Sequence, residues 1–98
     1  MPVVALFQSP SFTQEQYEES LRRLTDGAKT RMESADEWPV LGLLAHTAGQ
    51  GPNGFRVVDV WDSRESLESF GATLIPILRD MGVEGDPEIY EAHTFVSA

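Results

Sequence analysis

The sequence predicts an α+β domain of order strand–helix–strand–strand–helix–strand. Two observations carry that expectation. The period of the apolar residues changes four times along 98 residues, from short β-branched runs to stripes spaced by three and four and back. Turn-forming Gly, Pro, Asn and Ser clusters punctuate the changes. The order is the ferredoxin-like signature: an antiparallel four-stranded sheet, strand order 4-1-3-2, with two helices on one face. Residues 1–98 form one domain, since a chain this short rarely splits.

Each element has its own reason. Val3–Phe7 is a β-branched run closed by Ser9-Pro10, a strand. Thr13 opens a helix, with Gln16 placed to complete a capping box. Tyr17, Leu21, Leu24 and Ala28 make one apolar stripe on it, and Asp26-Gly27 marks its end. Residues 28–38 are polar and read mainly as loop. Pro39–Ala48 is the second strand, 49–54 a turn, and Phe55–Trp61 the third strand. Ser63 caps a second helix whose stripe is Leu67, Phe70, Leu74, Ile77 or Leu78, and Met81. Pro76 lacks the amide that a helix interior needs, so a break is expected between Gly71 and Pro76. Gly82 ends the helix, and Glu88–Val96 is the last strand.

Composition narrows the function. Seven Lys and Arg against sixteen Asp and Glu give a formal charge of −9, and Lys29 is the single lysine. Nucleic acid and anionic membrane surfaces are excluded as partners, because both demand a basic patch. Without cysteine there is no disulfide, no thiolate catalysis and no zinc–thiolate site. No apolar run is long enough to span a bilayer, and Met1-Pro2-Val3-Val4 lacks the basic start of a signal peptide. A cytoplasmic location is the expectation.

Strand alternation assigns residues to faces. The apolar sets Leu41/Leu43/Ala45, Val58/Val60 and Ala92/Val96 are expected beneath the helices. His46, Asp59, Trp61, Glu91 and His93 then collect on the opposite face with Leu44, Phe55, Val57 and Phe95. His46 and Trp61 share a face only if the hairpin loop has an even number of residues. Such an apolar second face is too large for a soluble monomer, so a second copy is expected against it, sheet to sheet.

His46 with Asp59 is the candidate acid/base pair: a carboxylate beside an imidazole fixes its tautomer and favours its charged form. The structural alternative is a cavity-wall histidine satisfied by its neighbour. Trp61, Phe55, Val57, Leu44 and His93 are the candidate ligand contacts, with Trp61 either stacking on a planar molecule or filling a dimer core. His46, His93, Asp59 and Glu91 contain only two imidazoles and lack ligand spacing, so no metal and no cofactor is expected. Gly49-x-Gly51-x-x-Gly54 matches a dinucleotide fingerprint formally, but joins strand to strand and carries Pro52. Tyr17 reads as core with its hydroxyl at the edge.

The stretches Gly42-Leu43-Leu44-Ala45-His46-Thr47-Ala48 and Gly54-Phe55-Arg56-Val57-Val58-Asp59-Val60-Trp61-Asp62-Ser63, followed by Phe70 and Pro76, resemble the dimeric α+β barrel superfamily. Within it the chain is similar to the antibiotic biosynthesis monooxygenase group. The resemblance begins at Thr13-Gln14-Glu15-Gln16-Tyr17 and implies a homodimer. It also implies a cavity lined by a His on the second strand and a Trp late in the third, positions held here by His46 and Trp61. Where those enzymes carry Asn four residues before the Trp, this chain has Val57. The activities it implies are cofactor-free oxidation of an aromatic or polyketide-like compound, or polyketide cyclisation. A non-catalytic ligand-binding or interaction module of the same fold remains the alternative reading.

Overall fold

The computed structural model describes residues 1–97. Its elements are β1 (Val3–Gln8), α1 (Gln14–Leu24), a 3₁₀ turn (Ala35–Glu37), β2 (Leu43–Gly51), β3 (Gly54–Trp61), α2 (Arg64–Asp80) and β4 (Glu88–Glu91). The strands form one sheet ordered β2-β3-β1-β4 with every neighbouring pair antiparallel. This is the ferredoxin-like βαββαβ fold. Among the described residues no helix is long and apolar enough to cross a membrane.

Both helix starts follow from the sequence. Thr13 accepts from the Gln16 amide at 3.2 Å while the Gln16 side chain accepts from the Thr13 amide at 3.1 Å, which completes the capping box. Ser63 accepts from the Ser66 amide at 3.1 Å. α1 stops at Leu24, a turn before Ala28, and Asp26 (φ 54°) and Gly27 (φ 84°) reverse the chain. α2 runs through Gly71 and Pro76 without the expected interruption. Pro76 and Ala72 are both exposed, so water can satisfy the carbonyl that the missing amide frees. Two strand extents also differ from expectation. β2 starts at Leu43, after Gly42 at φ 111°, and β4 closes at Glu91 instead of Val96.

The register defines two faces as rows of paired residues. Leu43, Trp61, Val3 and Glu91 form one row, and His46, Asp59, Ala5 and Ile89 the next. Ala48, Val57 and Phe7 form a third. These rows lie under the helices: Val3, Leu43 and Trp61 pack with Leu67 and Phe70 of α2 and with Trp38, and Trp61 is fully buried. Phe55, Phe12 and Val83 form a second buried cluster beside them. The outer face carries Ala45, Val60, Val4 and Tyr90 in one row and Thr47, Val58, Leu6 and Glu88 in another.

The face assignment drawn from alternation is therefore inverted. His46, Asp59, Trp61, Phe55 and Val57 lie on the helix side, and Ala45, Val58 and Val60 lie outside; Leu41 is 92% exposed. The expectation rested on the cost of an unpaired carboxylate beneath helices. Asp59 is not unpaired, because His46 directly opposite it accepts that role. The loop between Gly51 and Gly54 is Pro52-Asn53, an even number, so His46 and Trp61 do share a face. A bulge between Leu43 and Ala45 then slips the register by one residue. It turns Leu43 inward against Trp61 and leaves Leu44 outside at 44% exposure.

Candidate functional site

β2 and β3 place His46 and Asp59 opposite one another in the sheet, so their side chains rise together toward the helices. His46 Nδ1 lies 2.5 Å from Asp59 Oδ1. A carboxylate can only accept, so the ring proton sits on Nδ1 and is donated to Asp59. Nε2 is then an acceptor, and the Tyr17 hydroxyl on α1 donates to it across 2.6 Å. Three elements thus converge on one imidazole: α1 supplies the phenol, β2 the ring, β3 the carboxylate. Asp59 is 7% exposed, and burying it is tolerable because it is paired.

Two further aromatic contacts hold the ring. The Tyr17 and His46 planes are nearly parallel, at 14° with centroids 6.0 Å apart. Trp38 closes on His46 from another side, with centroids at 4.7 Å and a 58° tilt. Trp38 arrives from the segment read as polar loop. That segment is tied down where the Glu33 amide donates to Glu37 Oε2 at 3.0 Å and the Lys29 ammonium pairs with Glu37 at 3.3 Å. Burial, and next the Asp59 carboxylate, push the Tyr17 phenol up to about 12. Tyr17 is therefore a neutral hydroxyl at physiological pH, a donor to His46 with oxygen lone pairs free to accept from another group.

The trio opens on a cavity of about 800 Å³ between the sheet and the two helices. Phe7, Phe12, Leu21, Leu24, Val57 and Phe70 give it apolar walls, and Tyr17, His46 and Asp59 its inner polar groups. A volume of this size holds a ring compound of drug-like dimensions. α2 contributes Leu74 and Leu78, and residues 83–87 contribute part of the rim.

Among the residues singled out from sequence, His46, Asp59 and Val57 line this cavity. Trp61 stands in the core against Phe70, with ring centroids 5.1 Å apart, and its indole nitrogen has no hydrogen-bond partner. Phe55 packs on Phe12 and Tyr17 behind the wall. Leu44 is outside on the bulge, and His93 is exposed beyond β4. Glu91 is also exposed, and among the described residues no three His, Asp or Glu side chains are grouped to hold a metal ion. Tyr17 and Trp38 were missed as site residues. For Tyr17 a signal existed: a phenol on the buried stripe of a helix needs a polar partner, and the sheet beneath offered an imidazole. Trp38 gave no such signal. Comparison of the chain with protein-family models, with curated proteins and with solved structures finds no match in any of the three.

Proposed function

We propose that the chain binds a small ring compound in the cavity between sheet and helices and transfers a proton to or from it through Tyr17, His46 and Asp59. The observation that carries this reading is the continuous pair of hydrogen bonds, 2.6 Å and 2.5 Å, that ends at a cavity-facing phenol. A substrate hydroxyl donates to the Tyr17 oxygen as the Tyr17 proton moves to His46 Nε2. Asp59 offsets the charge of the imidazolium. Tyr17 never becomes a free phenolate, so its high proton affinity does not block the relay. A phenol activated in this way can react directly with dioxygen, giving a quinone and one water, as in cofactor-free monooxygenases. The same proton abstraction, made at carbon, begins the cyclisation of a polyketide-like chain.

We propose in addition that a second copy of the chain covers the outer sheet face. The outer sheet face presents Leu6, Ala45, Val58, Val60 and Tyr90 in adjacent rows, with Leu44 and Tyr90 44% and 48% exposed. Two such faces would bury each other in a homodimer. Phe55 and Trp61 take no part, since both are beneath the helices. Sedimentation at micromolar concentration checks this: a stable folded monomer removes the dimer and leaves the cavity untouched.

The function is tested with planar phenols supplied with dioxygen, following oxygen uptake, product absorbance and binding together. His46→Ala is expected to lower turnover about 10²- to 10⁴-fold, the usual contribution of a general base, with little change in binding. An unchanged rate in that variant, with ligand still bound, rejects the relay.

A further inference from the structure

We infer that the cavity selects for positive charge, and that its ligand is a ring compound carrying a protonated amine, not a carboxylate or phosphate ester. This rests on the cavity being a ligand site, as proposed above, and goes beyond it by fixing the ligand's charge.

Four carboxylates line the cavity, those of Asp59, Glu68, Glu84 and Asp86, against one guanidinium, Arg79. Asp59 is buried at the inner end. Glu68 on α2, and Glu84 and Asp86 on the segment between α2 and β4, are exposed at the rim. Among the described residues none of these three rim carboxylates has an ion-pair partner within 4.0 Å, so their charge is not cancelled locally. A cleft bordered by one sign of charge and apolar walls focuses that field on what enters it. The net charge of −9 reinforces the same sign.

The walls favour a cation independently of the rim. Phe7, Phe12, Tyr17, Trp38 and Phe70 all line the space, and aromatic faces attract ammonium groups through their quadrupoles. Of the groups that hold anions by charge, the lining carries one, the Arg79 guanidinium. No lysine is present there, and residues 14–16 of α1 and 64–66 of α2, whose amides have no partner within their own helix, are outside the lining. A carboxylate placed inside would face Asp59 with one guanidinium, that of Arg79, in the lining to offset it.

Three probes of one shape decide the matter: 2-naphthylmethylamine, 2-naphthylmethanol and 2-naphthoic acid, titrated into the intact protein and followed by calorimetry and by amide shifts of cavity residues. The amine is expected to bind about tenfold or more tighter than the acid at low salt, with the alcohol between. Raising the salt should narrow the gap by screening the exposed rim. Glu84→Gln combined with Asp86→Asn should narrow it as well, while Arg79→Gln should widen it. Neutral and acidic probes binding as well as the amine overturns the charge inference and leaves the ligand site standing. Failure of all three to perturb the cavity residues overturns the ligand site and the inference with it.

Discussion

His46 accepts a hydrogen bond from Tyr17 at one ring nitrogen and donates to Asp59 from the other, at 2.6 Å and 2.5 Å. The tautomer follows from Asp59, which can only accept. Asp59→Asn keeps the shape and removes the charge. Its amide can donate to Nδ1 and so move the ring proton to Nε2, facing Tyr17 with a donor instead of an acceptor. Nitrogen NMR of the imidazole should report that exchange of tautomer, with a loss of proton-transfer rate of about 10²- to 10⁴-fold. A ring that keeps its proton on Nδ1 and its full rate in Asp59→Asn would show that the carboxylate does not set the site.

The Tyr17 phenol is held up at about 12, by burial first and the Asp59 charge second. Ultraviolet titration should therefore contain a late phenol step that Tyr17→Phe removes. Because the folded value lies above the reference of 10.0, the folded state holds this proton longer than the unfolded chain does. The associated stability is complete below pH 10 and drains away as the pH rises from 10 toward 12. Urea unfolding across that window should show the decline in the native chain and a weaker one in Tyr17→Phe. The phenylalanine variant should also lose about 1 kcal/mol near neutrality, the net worth of one hydrogen bond.

The element order, both helix caps and the His46–Asp59 pairing were legible in the sequence, because each depends on local spacing or on simple alternation. The side of the sheet that receives the pair was not. Alternation separates two faces and does not say which one the helices cover; the choice depended on treating Asp59 as unpaired, and its partner on the neighbouring strand reverses that choice. Leu43 and Leu44 escape the inversion and lie where alternation put them, Leu43 beneath the helices and Leu44 outside. The bulge between Leu43 and Ala45 shifts the period by one, and Gly42, whose φ is 111°, is the visible trace of the irregular backbone there. Trp38 reaches His46 only because Glu37 anchors the preceding segment, a contact between loop residues that no period encodes.

Gly54 joins the β2–β3 hairpin to the segment after β1, and a side chain there has no room. Its φ is 118°, and a Cβ would meet the Ser9 carbonyl oxygen at 2.2 Å. Backbone cannot swing away as a flexible side chain can. Gly54→Ala should cost about 3 kcal/mol from strain and displacement together. Gly49, on the same hairpin, has open space around its Cβ position, and Gly49→Ala should change stability by less than about 0.5 kcal/mol. Equal unfolding midpoints for the two variants would contradict the crowding at Gly54.

Pro76 lies within α2, where the helix passes through it unbroken to Asp80. Its position has no amide to donate toward Ala72, and its ring crowds that carbonyl. In a helix interior proline is about 3 kcal/mol less favourable than alanine. Part of that returns through the unfolded chain, which proline also stiffens. Pro76→Ala should therefore raise stability by about 1–2 kcal/mol, enough to lift the melting temperature by roughly 4–16 °C in a domain of this size. Pro76 also borders the cavity, between Ile75 and Leu78 on the same wall. The ring's apolar surface is thus the competing contribution, and thermal unfolding separates the two. A lower melting temperature in Pro76→Ala would mean that the ring's packing on the cavity wall outweighs the hydrogen bond it removes.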